Sequence, residues 1–279
     1  MSVWQTIRLV AMRELSARRK GFAIVTGILA IVGLGGMLVA SAFSTTEPTA
    51  VIRGSDADEI IGFFTVVVLF LAIIFTGQVI MEGVAEEKRS RVVEVVLGTM
   101  EPRHLLIGKV MAIGVIGLTE ILVAVCVVAG AGQVLGVFEL PRATTMGLAA
   151  VAVWFVLGYA LFSALYAAAG AMVAPHENVA NAAIPLNLGL AIPYVTAVMG
   201  IAKGDTTLLR LLSIFPLTSP LTMPLRAVRG FAAPWEIGLA AVLALVSAYF
   251  LLRIAGRLYS GAIMRGGKVK WREAWRASR

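Results

Sequence analysis

The sequence predicts an all-α membrane protein, and three observations carry that reading. Hydrophobic residues make up 59% of 279 positions, while charged residues make up only 14%. The mean hydropathy is +0.90, and a soluble chain of this length needs more charge to cover its surface. The apolar residues also fall into long runs separated by short charged or proline-bearing breaks. The expected architecture is a single transmembrane domain over 1–279. It has six spans, an N-terminal interfacial helix, a cytoplasmic amphipathic helix and outer re-entrant helices.

Residues 1–20 carry Val3, Trp4, Ile7, Ala11 and Leu15 on one helical face, with Arg8, Arg13, Arg18, Arg19 and Lys20 around the rest. That pattern suits a helix lying in the headgroup plane. Residues 21–43 form an uncharged run long enough to cross a hydrocarbon core of about 30 Å. Ala40-Ser41-Ala42 has the form of a signal-peptidase site, but the run is roughly twice a usual signal core, so an uncleaved first span is expected. Ser44 to Glu59 reads as a short acidic external loop, and 60–81 as the second span.

Glu82 to Lys109 is the long charged passage of the first half. On a 3.6-residue period Val92, Val93, Val96 and Met100 form an apolar stripe, with Glu86, Glu87, Ser90, Arg91 and Glu94 on the other side. Glu87 and Arg91 are spaced for a supporting ion pair. Pro102 can open the following helix. Residues 84–100 are therefore expected to lie across the cytoplasmic mouth of two spans, where a soluble partner can push on them.

Spans three and four are expected at 110–137 and 146–173, joined by a tight turn containing Pro141. Ala160, Ala164, Ala168 and Ala171 make a small-residue ridge suited to close helix packing, and Gly132 and Gly136 offer a second such spot. The fifth span, 179–202, contains Pro185 and Pro193 and is expected to kink. Residues 204–232 hold an apolar stretch too short to cross, followed by Pro216, Pro220 and Pro224, which suits a re-entrant element. The sixth span is expected at 235–252, followed by a basic cytoplasmic tail over 253–279 with Trp271 and Trp275. With both ends inside, only Arg53, Arg142, Lys203, Arg210, Arg226 and Arg229 of the 24 Lys and Arg lie outside, as the positive-inside rule requires. The net charge of +8 then belongs to a cytoplasmic face that meets anionic membrane lipids, and no nucleic-acid partner is expected.

The chemistry inventory is sparse. Gly266-Gly267-Lys268-Val269 lacks both the first glycine and the hydroxyl residue of a phosphate-binding loop. The histidines are His104 and His176, so no metal site is expected. No catalytic residues are expected, and Cys126 has no partner for an intrachain disulfide. Glu120 stands out, because it lies roughly 16 Å beyond Lys109 along a helix and near the bilayer centre. A carboxylate there needs a partner or a watery cavity. It reads either as a cation- or proton-sensing position or as a hydrogen-bonded glutamate at a helix interface, beside Gln133, Asn181 or Asn187. Glu120, Gln78, Asn181 and Asn187 are the candidates for a translocation path.

Two motifs in order resemble the ABC-2 exporter permeases, in their NatB-like branch. The first is Glu86-Glu87-Lys88-x-x-Arg91-x-x-Glu94-x-x-Leu97, followed by Pro102 and Gly108-Lys109. The second is Phe215-Pro216-Leu217-Thr218-Ser219-Pro220 with Met223-Pro224-Leu225-Arg226, and Tyr259, Gly261 and Gly267-Lys268 fit the same pattern. The resemblance implies a non-catalytic exporter subunit in the cell membrane with both termini cytoplasmic. It implies dimerisation with a second permease copy or homologue, above two separately encoded ATP-binding subunits that use ATP and Mg. The helix at 84–100 would be the coupling helix, with Glu86, Glu87, Lys88, Arg89, Arg91 and Glu94 facing the ATPase. Pro216, Ser219, Pro220 and Arg226 would mark the outer re-entrant motif. The family's large external domain between spans one and two is replaced here by Ser44 to Glu59. An ATP-independent secondary transporter and a membrane assembly or anchoring protein are the competing functions.

Overall fold

Helices α1 (Gly54–Arg89), α2 (Pro102–Val134), α3 (Ala143–Met172), α4 (Val179–Lys203), α5 (Thr207–Ile214), α6 (Ser219–Val228) and α7 (Pro234–Ile263) follow in order, after a helical stretch at 24–31. They belong to a computed structural model that describes residues 12, 21, 24–31, 34–35, 54–89, 102–134, 143–174 and 178–263. Among the described residues five helices are long and apolar enough to cross a membrane: α1, α2, α3, α4 and α7. No strand occurs among the described residues.

α3 is the centre of the bundle, with its largest interfaces against α1 and α7. Its Trp154, Phe155, Tyr159 and Tyr166 are buried together with Ala164, Ala167, Ala168 and Ala171. Small residues let α1 approach closely, as expected where van der Waals contact replaces the hydrophobic effect. A Cβ at Gly170 would stand 2.6 Å from the Met81 carbonyl oxygen. Gly117 of α2 likewise sits against Thr76 of α1 and Phe155 of α3. α4 and α7 leave much apolar side-chain surface open, including Leu188, Ile192, Val242 and Leu245, as helices facing lipid do.

The short helices α5 and α6 form a hairpin closed by the turn at 215–218. Asn178 caps α4 by accepting from the Ala180 amide, and Thr206 caps α5 by accepting from the Leu209 amide. The Thr218 hydroxyl donates back to the Leu212 carbonyl, which ties the turn to α5. Residues Ser219 to Arg226 of α6 are all buried. Leu225 meets Gly62 near the start of α1, and Pro220 reaches Gly158 and Ile73 inside the bundle.

Several boundaries differ from the sequence expectation. α1 begins at Gly54, inside the expected loop. It then runs unbroken to Arg89, so residues 84–89 continue the span instead of starting a separate helix at 84. Nothing at Glu82-Gly83 stops it, since one glycine costs a helix only about 1 kcal/mol. α4 stays helical through Pro185 and Pro193. α7 continues to Ile263, so Arg253 and Arg257 are helical and the sixth span does not end at 252. The expected interfacial helix (Met12 aside), most of span one, residues 90–101 with Arg91 and Glu94, and the tail with Trp271 and Trp275 lie outside the described residues. So do Gly136, the Gln133 side chain and the surroundings of Gly132.

Candidate functional site: a charged junction of four helices

The C-terminal ends of α1, α3 and α7 and the first turns of α2 meet at one end of the bundle. Lys109 Nζ donates to Glu87 Oε1 at 2.6 Å, and the Tyr259 hydroxyl donates to Glu87 Oε2 at 2.8 Å. A single carboxylate therefore joins α1, α2 and α7. Lys109 is only 3% exposed, so its charge has little access to water. Gly83 makes the approach possible, because a Cβ there would lie 2.8 Å from Lys109 Nζ. The neighbouring Lys88 donates to the carbonyls of Ala171 at 2.9 Å and Val173 at 3.1 Å. Those carbonyls lie at the end of α3, where helical acceptors lack intrahelical partners and the dipole favours a cation.

The six residues expected to face a partner thus divide. Glu86 and Arg89 are exposed, Glu87 and Lys88 are half-buried and turned inward, and Arg91 and Glu94 are outside the described residues. The helical period explains the division, since consecutive residues on one helix turn to different sides.

The opposite end of α1 meets the α5–α6 hairpin, about 37 Å away along the axis from Glu87 to Gly62. Arg226 of α6 is 1% exposed and makes two bonds to Asp205, Nε to Oδ1 at 2.9 Å and an Nη to Oδ2 at 3.3 Å. It also reaches Glu236 of α7 at 3.0 Å, the Ser213 hydroxyl at 2.7 Å and the Phe231 carbonyl. Arg210 pairs with the other Glu236 oxygen at 2.6 Å. Arg229 bonds the Gly200 and Ile201 carbonyls at the end of α4 and lies over the Phe231 ring. Asp205 and Glu236 offset Arg210 and Arg226, so the ion-pair network that clamps the hairpin to α7 is balanced in charge. Of the expected hairpin residues, Ser219, Pro220 and Arg226 are buried and Pro216 is half-buried.

The path candidates are not brought together. Asn187 of α4 accepts from the Tyr166 hydroxyl of α3 at 2.5 Å, Gln78 is half-buried on α1, and Asn181 is exposed. Glu120 is buried on α2, where the Thr26 hydroxyl hydrogen-bonds its carboxyl group. Neither asparagine bonds it, and its Oε1 has no partner among the described residues. No group of three His, Cys, Asp or Glu among them could hold a metal. Sequence reasoning missed Tyr259, Asp205, Glu236 and Tyr166 as partners. Lys109 alone carried a signal, as a cation within the first turns of an apolar helix.

Comparison with known families decides the class. A family model described as "ABC-2 family transporter protein" matches residues 37–257. The chain belongs to the ABC-2 family of transporter proteins. It is 25% identical over 238 residues to the uncharacterized protein YhaP of Bacillus subtilis, covering 79% of this chain and 56% of that one. It is 27% identical over 174 residues to the uncharacterized protein MJ1024 of Methanocaldococcus jannaschii, covering 60% and 40%. The ABC-2 chain thus spans about half the length of the curated relatives it matches. No solved structure matches it. Family and helices together make it a multi-pass membrane protein, and the match reaches from the first-span region through the hairpin into α7.

Proposed function

We propose that this ABC-2 chain is the permease subunit of an ABC exporter in the cell membrane, moved by a separate ATP-binding subunit. The observation that supports this most is the junction. Its Glu87 and Lys88 tie the end of α1 to α2, α3 and α7, while Glu86 and Arg89 stand exposed beside them. A push on that exposed edge moves four helices together, because the bonds beneath it leave little play. In this reading the junction faces the cytoplasm and the α5–α6 hairpin dips into the bilayer from outside. Two ATP-binding subunits supply ATP and Mg chemistry, and a second permease copy completes the pathway.

Glu86→Arg tests the reading. The reversed charge is exposed, so insertion and thermal stability should match the wild type. Co-purification with the ATP-binding subunit and transport-coupled ATPase activity should fall. Undiminished coupling in the variant, or labelling of a cysteine at position 86 from the outer face of intact cells, would refute it. Glu87→Arg cannot serve this purpose, because Glu87 holds the junction itself.

A further inference from the structure

Glu120 lies far from both charged ends, at a place no transport part yet uses. Its side chain is 6% exposed and its Oε1 has no hydrogen-bond partner among the described residues. α2 packs against α1, α3 and α7, and several charged and titratable groups described on those helices are engaged elsewhere. On α1, Glu87 and Lys88 belong to the junction. On α3, Tyr159 donates to the Val110 carbonyl and Tyr166 to Asn187. On α7, Glu236 is held by Arg210 and Arg226, Tyr249 accepts from Arg253, and Tyr259 donates to Glu87. The hydroxyl that does reach the Glu120 carboxyl is that of Thr26.

We propose that Glu120 is a proton-binding site inside the bundle. It is a carboxylic acid that keeps its proton while α2 is packed as here, and exchanges it with water when that packing opens. Two other ligands fit less well. A metal ion needs about six oxygen ligands at close range, whereas among the described residues the Thr26 hydroxyl is the group that hydrogen-bonds this carboxyl. Thr76, whose methyl lies against Gly117 one turn away, donates its hydroxyl to the Ala72 carbonyl. An organic cation would need a cavity, and Glu120 is enclosed. A proton needs a single lone pair, and Oε1 offers one. Binding it turns an enclosed ionised group into a neutral one, which apolar surroundings tolerate far better.

The test uses the full chain alone in lipid vesicles, so its outcome is separable from that of the exporter reading. Isotope-edited infrared spectra with carboxyl-labelled glutamate should show a protonated carbonyl band at neutral pH. That band should shift in heavy water and be missing from E120Q. Dicyclohexylcarbodiimide, an apolar reagent for protonated carboxyl groups, should modify the peptide containing Glu120, and E120Q should lose that modification. A wild-type spectrum at neutral pH in which E120Q removes only ionised carboxylate bands would overturn the proposal. So would an unmodified Glu120 peptide after carbodiimide treatment. The wild-type infrared and labelling measurements stand even if E120Q folds poorly.

Discussion

Tyr259 on α7 donates its hydroxyl to Glu87 on α1 at 2.8 Å, across 172 positions of sequence. The other Glu87 oxygen holds Lys109 at 2.6 Å, so two sequence-distant groups share one carboxylate. The two bonds differ in what remains after each is cut. Tyr259→Phe removes a hydroxyl and leaves the ion pair, so it should cost about 2 kcal/mol, as for a hydrogen bond to a charged group. Glu87→Gln leaves the buried Lys109 ammonium beside a neutral amide and should cost more, about 3 kcal/mol. Thermal unfolding of the two variants in detergent checks the order, and equal losses would place the junction's strength elsewhere.

Arg226 is the clamp of the hairpin. It is as buried as Glu236, and a buried pair that loses one member leaves the other charge enclosed. Arg226→Ala should therefore cost about 3–5 kcal/mol and reduce the folded yield. Arg226→Lys should rescue little, because a lysine cannot span both Asp205 oxygens as the guanidinium does. Asp205→Asn, at a partly exposed carboxylate, should cost clearly less than Arg226→Ala. Melting temperatures of the three variants decide this, and a lysine variant near wild type would show that charge alone suffices.

Much of this architecture was legible in the sequence. The apolar runs expected over 60–81, 110–137, 146–173, 179–202 and 235–252 each coincide, over nearly all of their described residues, with a helix, since the bilayer forces backbone groups to pair within each run. The alanines of α3 were legible for the same reason, as positions where helices must touch. What escaped was pairing between distant residues. Asp205 and Glu236 look like ordinary loop and helix-start acids, and only the fold carries them to Arg226. In sequence Glu87 and Lys88 read as part of a solvated charged face, because the apolar run of α1 ends at Met81 while its helix continues to Arg89. That continuation turns both residues inward.

Gly170 sets the separation of α1 and α3. A Cβ there would stand 2.6 Å from the Met81 carbonyl oxygen and 3.1 Å from its Cα, and these are backbone atoms that cannot swing aside. Gly77 looks similar, with the Tyr166 ring at 2.3 Å, but a side chain can rotate away at the expense of the Asn187 bond. Gly170→Ala should therefore push the helices apart and cost about 1–3 kcal/mol. Gly256→Ala is the control, because nothing lies within 4 Å of its added methyl. There alanine's better helix propensity should leave stability unchanged or raise it by up to about 1 kcal/mol. Parallel melting curves, with a cysteine pair across Met81 and Gly170 avoided so that the contact stays native, should separate the two variants. A Gly170→Ala protein as stable as Gly256→Ala would mean that α1 and α3 have slack at their crossing, and that the junction beyond it does not move as one body.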